Sequence, residues 1–390
     1  MSLHLDKSRW TRVAFGDVVR NVNDTVRDPA AVGIDRVIAM EHLDPGELKI
    51  ERWGDAADGT TFTRRVKPGQ TLFGKRRAYQ RKVACADFDA VCSGDIYTFE
   101  ADSSQLLTEF LPFLVQSDGF FNHALGTSAG SLSPRTNWRD LAHFEFDLPP
   151  LDEQQRLADL LWAVEHAALE ARGVVASVEA VRAAHIHARV TEIARVSGAV
   201  PLDNLIEAGR PITYGILMPG PDHEGGVPVV KVKDFPNGYV DEANLRRTTP
   251  QLAHEYRRST LRPGDLLISI RGTVGRLAEV PESLDGANIT QDTARLSVSD
   301  AHSPQYVRLL LESQFIQEQI RRQITGLAVK GLNIGALRKL EVPMPSDRSL
   351  ESSLVQQSHD LDQALRAARR AECSARSLRS SLLPEIFGDN

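Results

Sequence analysis

LDEQQRLADLLWAVEHAALEARGVVASVEAVRAAHIHARVTEIARV, residues 151–196, contains no proline, and its apolar side chains recur at alternating steps of four and three: Leu157, Leu161, Val164, Ala168, Ala171, Val175 and Val178. That spacing is the seam by which one long helix packs against another. Leu160, Ala167, Val174 and Val181 widen the stripe, and Asp152 and Glu153 suit a helix start. Residues 346–383 repeat the pattern, with Leu350, Leu354, Leu361, Leu365, Ala368, Leu378 and Leu382 behind Ser346 and Asp347. Gly173 and Ser358 weaken it locally. Some 40 to 45 residues at 1.5 Å each make rods of roughly 55 to 70 Å. A helix of that length with a one-sided stripe needs a partner, and each stripe is the other's. The expectation is an antiparallel coiled coil with one globular domain at each end and an approximate two-fold axis.

The segments between the helices repeat as well. At a shift of 195 residues Pro68-Gly69 falls on Pro263-Gly264, Arg76 on Arg271 and Arg81 on Arg276. At 196, residues 109–149 run without a gap against 305–345, placing Ser117 on Ser313, Gly130 on Gly326, Asn137 on Asn333 and Pro149 on Pro345. Each half opens with short β-branched or aromatic runs (91–99; 227–232 and 265–270) broken by Gly, Pro, Asn and Asp, which read as strands and turns. An amphipathic helix (106–116; 305–324), a Gly/Ser-rich loop and an apolar run ending in proline follow. The fold class is therefore α+β, a pseudo-two-fold repeat of two mixed α/β domains. The order along the chain is domain 1–150, spacer helix 151–197, domain 198–345, and spacer helix with tail 346–390.

With 390 residues, 42% of them hydrophobic and 25% charged, the chain has material for two to four packed domains and is not a disordered one. Met1-Ser2-Leu3-His4-Leu5-Asp6-Lys7 has no apolar signal core, and no run reaches the roughly 18 apolar residues of a bilayer span. A cytoplasmic protein without membrane contact is expected. Cys85, Cys92 and Cys373 show no CxxC spacing and read as buried free thiols rather than disulfides or zinc ligands.

The net charge is −6, yet residues 64–82 hold eight cations and no acid: Arg64, Arg65, Lys67, Lys75, Arg76, Arg77, Arg81 and Lys82, with Phe73 and Tyr79 interleaved. Local charge of that sign suits phosphates. The matching stretch, 257–276, holds Arg257, Arg258, Arg262, Arg271 and Arg276 against Asp265, with Lys231 and Lys233 upstream. Residues expected to face DNA are thus the first eight cations with Tyr79, and in the second domain Tyr214, Lys231, Lys233, Arg271, Thr273, Arg276 and Lys330. By contrast residues 151–195 carry five cations and seven acids, which suits a protein partner, with Leu157, Leu161, Val164, Val175, Val178, Leu354, Leu361 and Leu365 as its seam.

Signals for catalysis are absent: no GxxxxGK[ST], HExxH or GxSxG is present. Asp147-Leu148-Pro149-Pro150 reads as a strand end rather than a methyltransferase tetrad, having no glycine-rich cofactor turn before it. His185 and His187 are two apart on a helix and point away from each other. Asp44 with Glu47-Leu48-Lys49 imitates a nuclease triad inside a Pro45-Gly46 turn. No catalytic or metal-binding residue is assigned.

The whole chain resembles type I restriction-modification specificity subunits. The resemblance rests on Leu148-Pro-Pro-Leu-Asp-Glu-Gln-Gln-Arg-Leu157, on Arg262-Pro-Gly-Asp-Leu-Leu-Ile-Ser-Ile-Arg-Gly-Thr-Val-Gly-Arg276 and on Ala287-Asn-Ile-Thr-Gln291. Val342-Pro-Met-Pro-Ser-Asp-Arg-Ser349 departs from it by lacking the Glu-Gln pair, and Gly74-Lys-Arg-Arg77 differs from Ser269-Ile-Arg-Gly272. The two domains should then read different DNA. The resemblance implies a non-catalytic reader of a bipartite, asymmetric duplex target, with the helix pair as a ruler between half-sites. It also implies two methyltransferase subunits as partners, which carry the S-adenosylmethionine, and through them a restriction motor subunit. Alternatives are a specificity module of another phage-defence methyltransferase, an enzyme in its own right, and a coiled-coil scaffold that does not touch DNA. Missing cofactor motifs weigh against the enzyme, and the paired basic stretches weigh against the scaffold.

Overall fold

The computed structural model describes residues 5–130, 132–236, 238–326 and 331–388. The chain forms two compact units, residues 1–172 with 369–390 and residues 173–368. Each unit takes in one globular domain and half of each long helix. The division falls inside the helices, because each half-helix packs on the domain of its own unit.

In the first unit, Thr11–Ala14 pairs antiparallel with Glu145–Leu148 and brings the two ends of the domain together. A four-stranded antiparallel sheet runs in the order Val19–Val22, Ile96–Ala101, Thr71–Gly74, Val83–Cys85. A second sheet orders Gly54–Asp55, Arg36–Ile38, Ala90–Cys92, Arg64–Val66, its middle pair parallel. The second unit repeats this plan. Ala199–Pro201 pairs with Glu341–Pro343. Thr213–Tyr214, Thr293–Leu296, Leu266–Ser269 and Leu277–Glu279 form the first sheet, and Arg246–Thr248, Val227–Val230 and Asn288–Ile289 the second, again with one parallel pair. The internal duplication read at shifts of 195 and 196 is therefore a duplication of topology.

The helices differ from the sequence reading. The stretch 305–324 is broken by Ser313 into Pro304–Glu312 and Gln314–Gln323, and the stretch 106–116 is helical only over Leu111–Gln116 and is followed, beyond Ser117, by a further helix, Asp118–Gly126, where a loop was expected. Both serines are extended and accept a hydrogen bond from the backbone N–H three residues on, Phe120 and Ile316, so the hydroxyl caps a new helix. The cores also differ in kind. Phe15, Phe73, Phe99 and Phe120 are fully buried in the first unit, with Phe15 and Phe120 centroids 4.9 Å apart. The second is aliphatic, built on Leu266, Ile268, Leu296, Val307 and Leu310.

The long helices run Leu151–Val196 and Arg348–Phe387. Gln154 anchors the first of them. It is fully buried, accepts from the Leu107 N–H and donates to the Gln105 and Pro149 carbonyls, each at 2.8 Å. Glu153 beside it accepts from the Trp10 indole at 3.0 Å. Asp347 caps the second helix by accepting from the Ser349 N–H at 2.8 Å.

In the first unit Leu157, Leu161 and Val164 share a core with Leu382 and Ile386, and Arg379 donates to Glu165 and to the Gly46 carbonyl. In the second unit Ile186, Val190 and Ile193 pack with Leu354, Arg182 donates to Asp362 at 2.7 Å, and His185 meets Gln357 at 2.9 Å. Rising numbers on one helix meet falling numbers on the other in both units, so the pairing is antiparallel. Val175, Val178, Leu361 and Leu365 are half-buried. Leu160, Ala167, Val174 and Val181 do not widen the seam: all four are exposed, Val181 by 57%. A two-helix pair covers only a narrow stripe, and this row lies beside it.

Glu165 is 1% exposed, so Arg379→Ala leaves a buried carboxylate without its partner and is expected to destabilise the first unit by about 3 to 5 kcal/mol. All four tryptophans (Trp10, Trp53, Trp138, Trp162) lie in that unit, so urea unfolding followed by their fluorescence isolates the effect. A loss below about 1 kcal/mol would show that the pair behaves as an exposed one.

Candidate nucleic-acid interface

The basic stretch of each unit is a turn joining two paired strands, Thr71–Gly74 to Val83–Cys85 and Leu266–Ser269 to Leu277–Glu279. The Lys82 carbonyl accepts from Gly74 N–H (3.0 Å), and the Arg276 carbonyl accepts from Ser269 N–H (2.8 Å). Lys82 rather than Arg81 is thus the counterpart of Arg276, and the first turn is one residue longer. Both turns need left-handed backbone at two points. The second supplies glycine, Gly272 at φ 71° and Gly275 at φ 90°. The first places Arg77 at φ 57° and Arg81 at φ 52° instead. A side chain there costs about 1 to 2 kcal/mol. Arg81 offsets it by bonding Asp118 (2.6 Å) and the Gln116 carbonyl (3.1 Å) over the Phe121 ring. Arg77 is exposed and makes no side-chain hydrogen bond or ion pair among the described residues. Its backbone alone is held: the N–H donates to the Pro134 carbonyl at 2.8 Å and the carbonyl accepts from the Gln80 N–H at 2.9 Å.

A second loop packs on each turn. Arg135 bridges to Ala129 and Arg76, and Gly331 bridges to Thr325 and Arg271, the same pattern at the same shifts. In the first unit this adds Arg135, which the sequence reading missed because it sits in a Gly/Ser loop rather than in the charge run. Leu132, 93% exposed, sits in the same loop. Arg135 (3.0 Å) and Arg76 (3.5 Å) pair with Asp95 and, despite its partial burial, hold that carboxyl below its usual range. Lys75 and Arg64 lie over the Tyr97 ring at 4.7 and 5.7 Å. Burial, then the nearby Arg64, pushes the Lys75 ammonium down. Three cations, Arg135, Arg76 and Lys75, thus surround one carboxylate, with Arg64 beyond them on the Tyr97 ring and exposed Arg77 and Tyr79 on the adjoining turn.

Other members of the charge run are engaged elsewhere. Arg65 holds Asp89 through two bonds (2.9 and 3.3 Å), Lys67 pairs with Asp24 at 2.6 Å, and Lys82 donates to the Met40 carbonyl at 2.6 Å. With Arg81 these bind the domain together. In the second unit Arg271, Gly272, Thr273, Tyr214 and Lys233 are exposed. Arg276 donates to the Val232 carbonyl (3.3 Å), and burial followed by Arg246 lowers the Lys231 ammonium. Lys330 lies outside the described residues.

Competing sites do not assemble. Glu47 pairs with Arg172 (3.1 Å) and Arg376 (2.8 Å), and Asp44 with Arg52, so the nuclease-like triad is a set of structural ion pairs. Burial pushes the Cys85 and Cys92 thiols up to about 12. Cys373 is exposed, not buried as expected, since it lies on the outer side of its helix. Among the described residues no group of His, Cys, Asp and Glu is placed to hold a metal ion, and no helix is long and apolar enough to cross a membrane.

Residues 60–179, which include the first turn and its loop, match the family described as the type I restriction modification DNA specificity domain. The EcoBI type I restriction enzyme specificity subunit of Escherichia coli is 28% identical over 262 residues. Over these stretches the chain is similar to type I restriction-modification specificity subunits. The EcoBI match takes in 58% of this chain and 55% of that subunit, so it spans about half the relative's length. The E. coli EcoDI specificity subunit is 30% identical over 125 residues, covering 30% of this chain and 27% of the relative. The fold extends the likeness to the whole chain. A type I R-M system structure described for its complex assembly and conformational transition aligns at TM-score 0.59, with 20% identity over 98% of this chain and 99% of that one. The type I restriction-modification S subunit from M. genitalium aligns at 0.60, with 13% identity over 100% and 99%.

Arg77→Gly removes left-handed strain of about 1 to 2 kcal/mol against a glycine entropy cost of about 0.5 to 1 kcal/mol. It is expected to leave the tryptophan-monitored stability unchanged or up to about 1 kcal/mol higher, whereas Arg77→Val lowers it. A clear loss in the glycine variant would mean that the arginine side chain holds the turn together and is not spare for a ligand.

Proposed function

We propose that this chain is the non-catalytic, sequence-reading subunit of a type I restriction-modification complex, binding duplex DNA with one turn-and-loop surface in each unit. One observation carries the reading. The same turn, with the same supporting loop and the same two left-handed positions, occurs twice, and its exposed side chains differ: Arg77 and Tyr79 in one unit, Arg271 and Thr273 in the other. Duplicated scaffolds with divergent exposed residues suit two readers of two different half-sites. Guanidinium groups suit guanine edges and phosphates alike. The paired helices are the surface we assign to two methyltransferase subunits, which would bring S-adenosylmethionine, and through them to a restriction motor.

Arg77→Ala and Arg271→Ala, each assayed in complex with the methyltransferase partner, are expected to weaken binding to the bipartite target. An arginine that reads a base contributes about 1 to 3 kcal/mol, and its loss relaxes one half-site only. One that contacts phosphate lowers the salt slope by about one unit. The isolated chain should transfer no methyl group. Unchanged affinity, half-site preference and salt slope in both variants, or methyl transfer by the chain alone, would overturn the reading.

A further inference from the structure

Arg295 occupies the middle of a core strand of the second unit, 2% exposed. It opposes Leu267 as Thr98 opposes Leu72 in the first unit, so the duplicated domain shows that a small, uncharged side chain serves at this position. A buried guanidinium is costly unless it is paired. Arg295 donates to the carbonyls of Pro211 (3.0 Å) and Thr260 (3.3 Å), and its buried Nε has no partner among the described residues. The nearest candidate carboxylate is taken. Asp265 accepts Arg210 at both oxygens (3.0 and 2.9 Å), the Ser297 hydroxyl (2.6 Å) and the Arg262 N–H (2.7 Å). Burial, then the charge of Arg210, pulls the Arg295 guanidinium down to about 10.

Arg295 lines a cleft of about 670 Å³ together with Arg210, Arg257, Arg258, Arg262 and Arg338. Against these six cations stand Asp265, Glu207 (3.8 Å from Arg210 and 3.7 Å from Arg262) and Asp203 (3.6 Å from Arg338). Three positive charges are left over. Arg257 and Arg258 are exposed and make no side-chain hydrogen bond or ion pair among the described residues, and no residue of the 270–276 turn lines the cleft. Convergent guanidinium forks around a concave space fit a tetrahedral oxyanion better than they fit one another.

We propose that this cleft of the second unit, where Arg295 stands in place of Thr98, is a phosphate-binding site distinct from the reading turn. Its ligand is a phosphate group, from the DNA backbone or from a free phosphate compound. The DNA source rests on the function proposed above; the site itself does not.

The test uses the full chain and inorganic phosphate. At matched ionic strength, replacing chloride by excess phosphate is expected to raise the unfolding midpoint by about 3 °C or more. The double variant Arg257→Ala/Arg258→Ala should keep the wild-type midpoint in chloride and lose the phosphate increment. No increment in the wild type, or an undiminished one in the variant, overturns the proposal. Random-sequence duplex then separates the sources. A salt slope lower by about two in the variant assigns the DNA backbone, and equal slopes beside a lost phosphate increment assign a free phosphate. Wild-type chain that responds to phosphate but binds no duplex, alone or with its methyltransferase partner, would contradict the function proposed above while leaving the cleft standing.

Discussion

A helix of 46 residues with one apolar stripe cannot bury that stripe on a small domain alone, and the pairing of the two long helices is the constraint on which the rest of this structure depends. Each unit contains a stretch of both helices, so neither domain is completed by its own contiguous segment. Leu157 and Leu161 need Leu382 and Ile386, and Val190 and Ile193 need Leu354. The charged groups beside the seam add register: Glu165 with Arg379 in one unit and Arg182 with Asp362 in the other admit one alignment of the two helices. Arg182 also pairs with Glu312 of its domain at 2.8 Å, and Arg172 with Glu47 and Glu51 of the other. Each domain is thereby tied to the rod by ions as well as by apolar contact.

Duplication then explains where variation is tolerated. Strand order, the serine caps and the loop bridges recur, because the core and the backbone hydrogen bonds require them. The turn keeps its two left-handed positions but not its residues. Glycine meets that requirement without strain at Gly272 and Gly275, while arginine meets it with strain at Arg77 and Arg81. Strain retained on an exposed turn is a recurrent mark of functional surfaces.

Much of this was legible in the sequence. The four-three spacing gave both long helices, and the alignment of Arg76 with Arg271 holds in the structure, where each makes the matching isolated bridge, while Arg276 falls on Lys82 rather than on Arg81. What escaped depends on partners distant in the chain. The charge run could not be divided between surface and structure, since the carboxylates that occupy Arg65, Lys67 and Arg81 are Asp89, Asp24 and Asp118, none of them in the run. Ser313 breaks a helix whose apolar pattern continues through the break, and Ser117 starts a helix, Asp118–Gly126, where the sequence showed only the approach to a Gly/Ser loop. Leu160, Val174 and Val181 keep a helical period yet face away from the partner, because periodicity alone does not fix the width of a seam. Arg295 looks like an ordinary strand residue until the fold shows it buried and short of a counterion.

If the function proposed above holds, the length of the helix pair is what separates the two half-sites of the target, and methylome mapping tests that most directly. Four residues added to each helix, after Ala183 and after Leu361, add about 6 Å at 1.5 Å per residue and turn the apolar stripe by only about 40°. With base pairs stacked at about 3.4 Å, the gap between half-sites should grow by one or two base pairs while the bases read in each half stay the same. An active variant that methylates the original spacing would contradict the account.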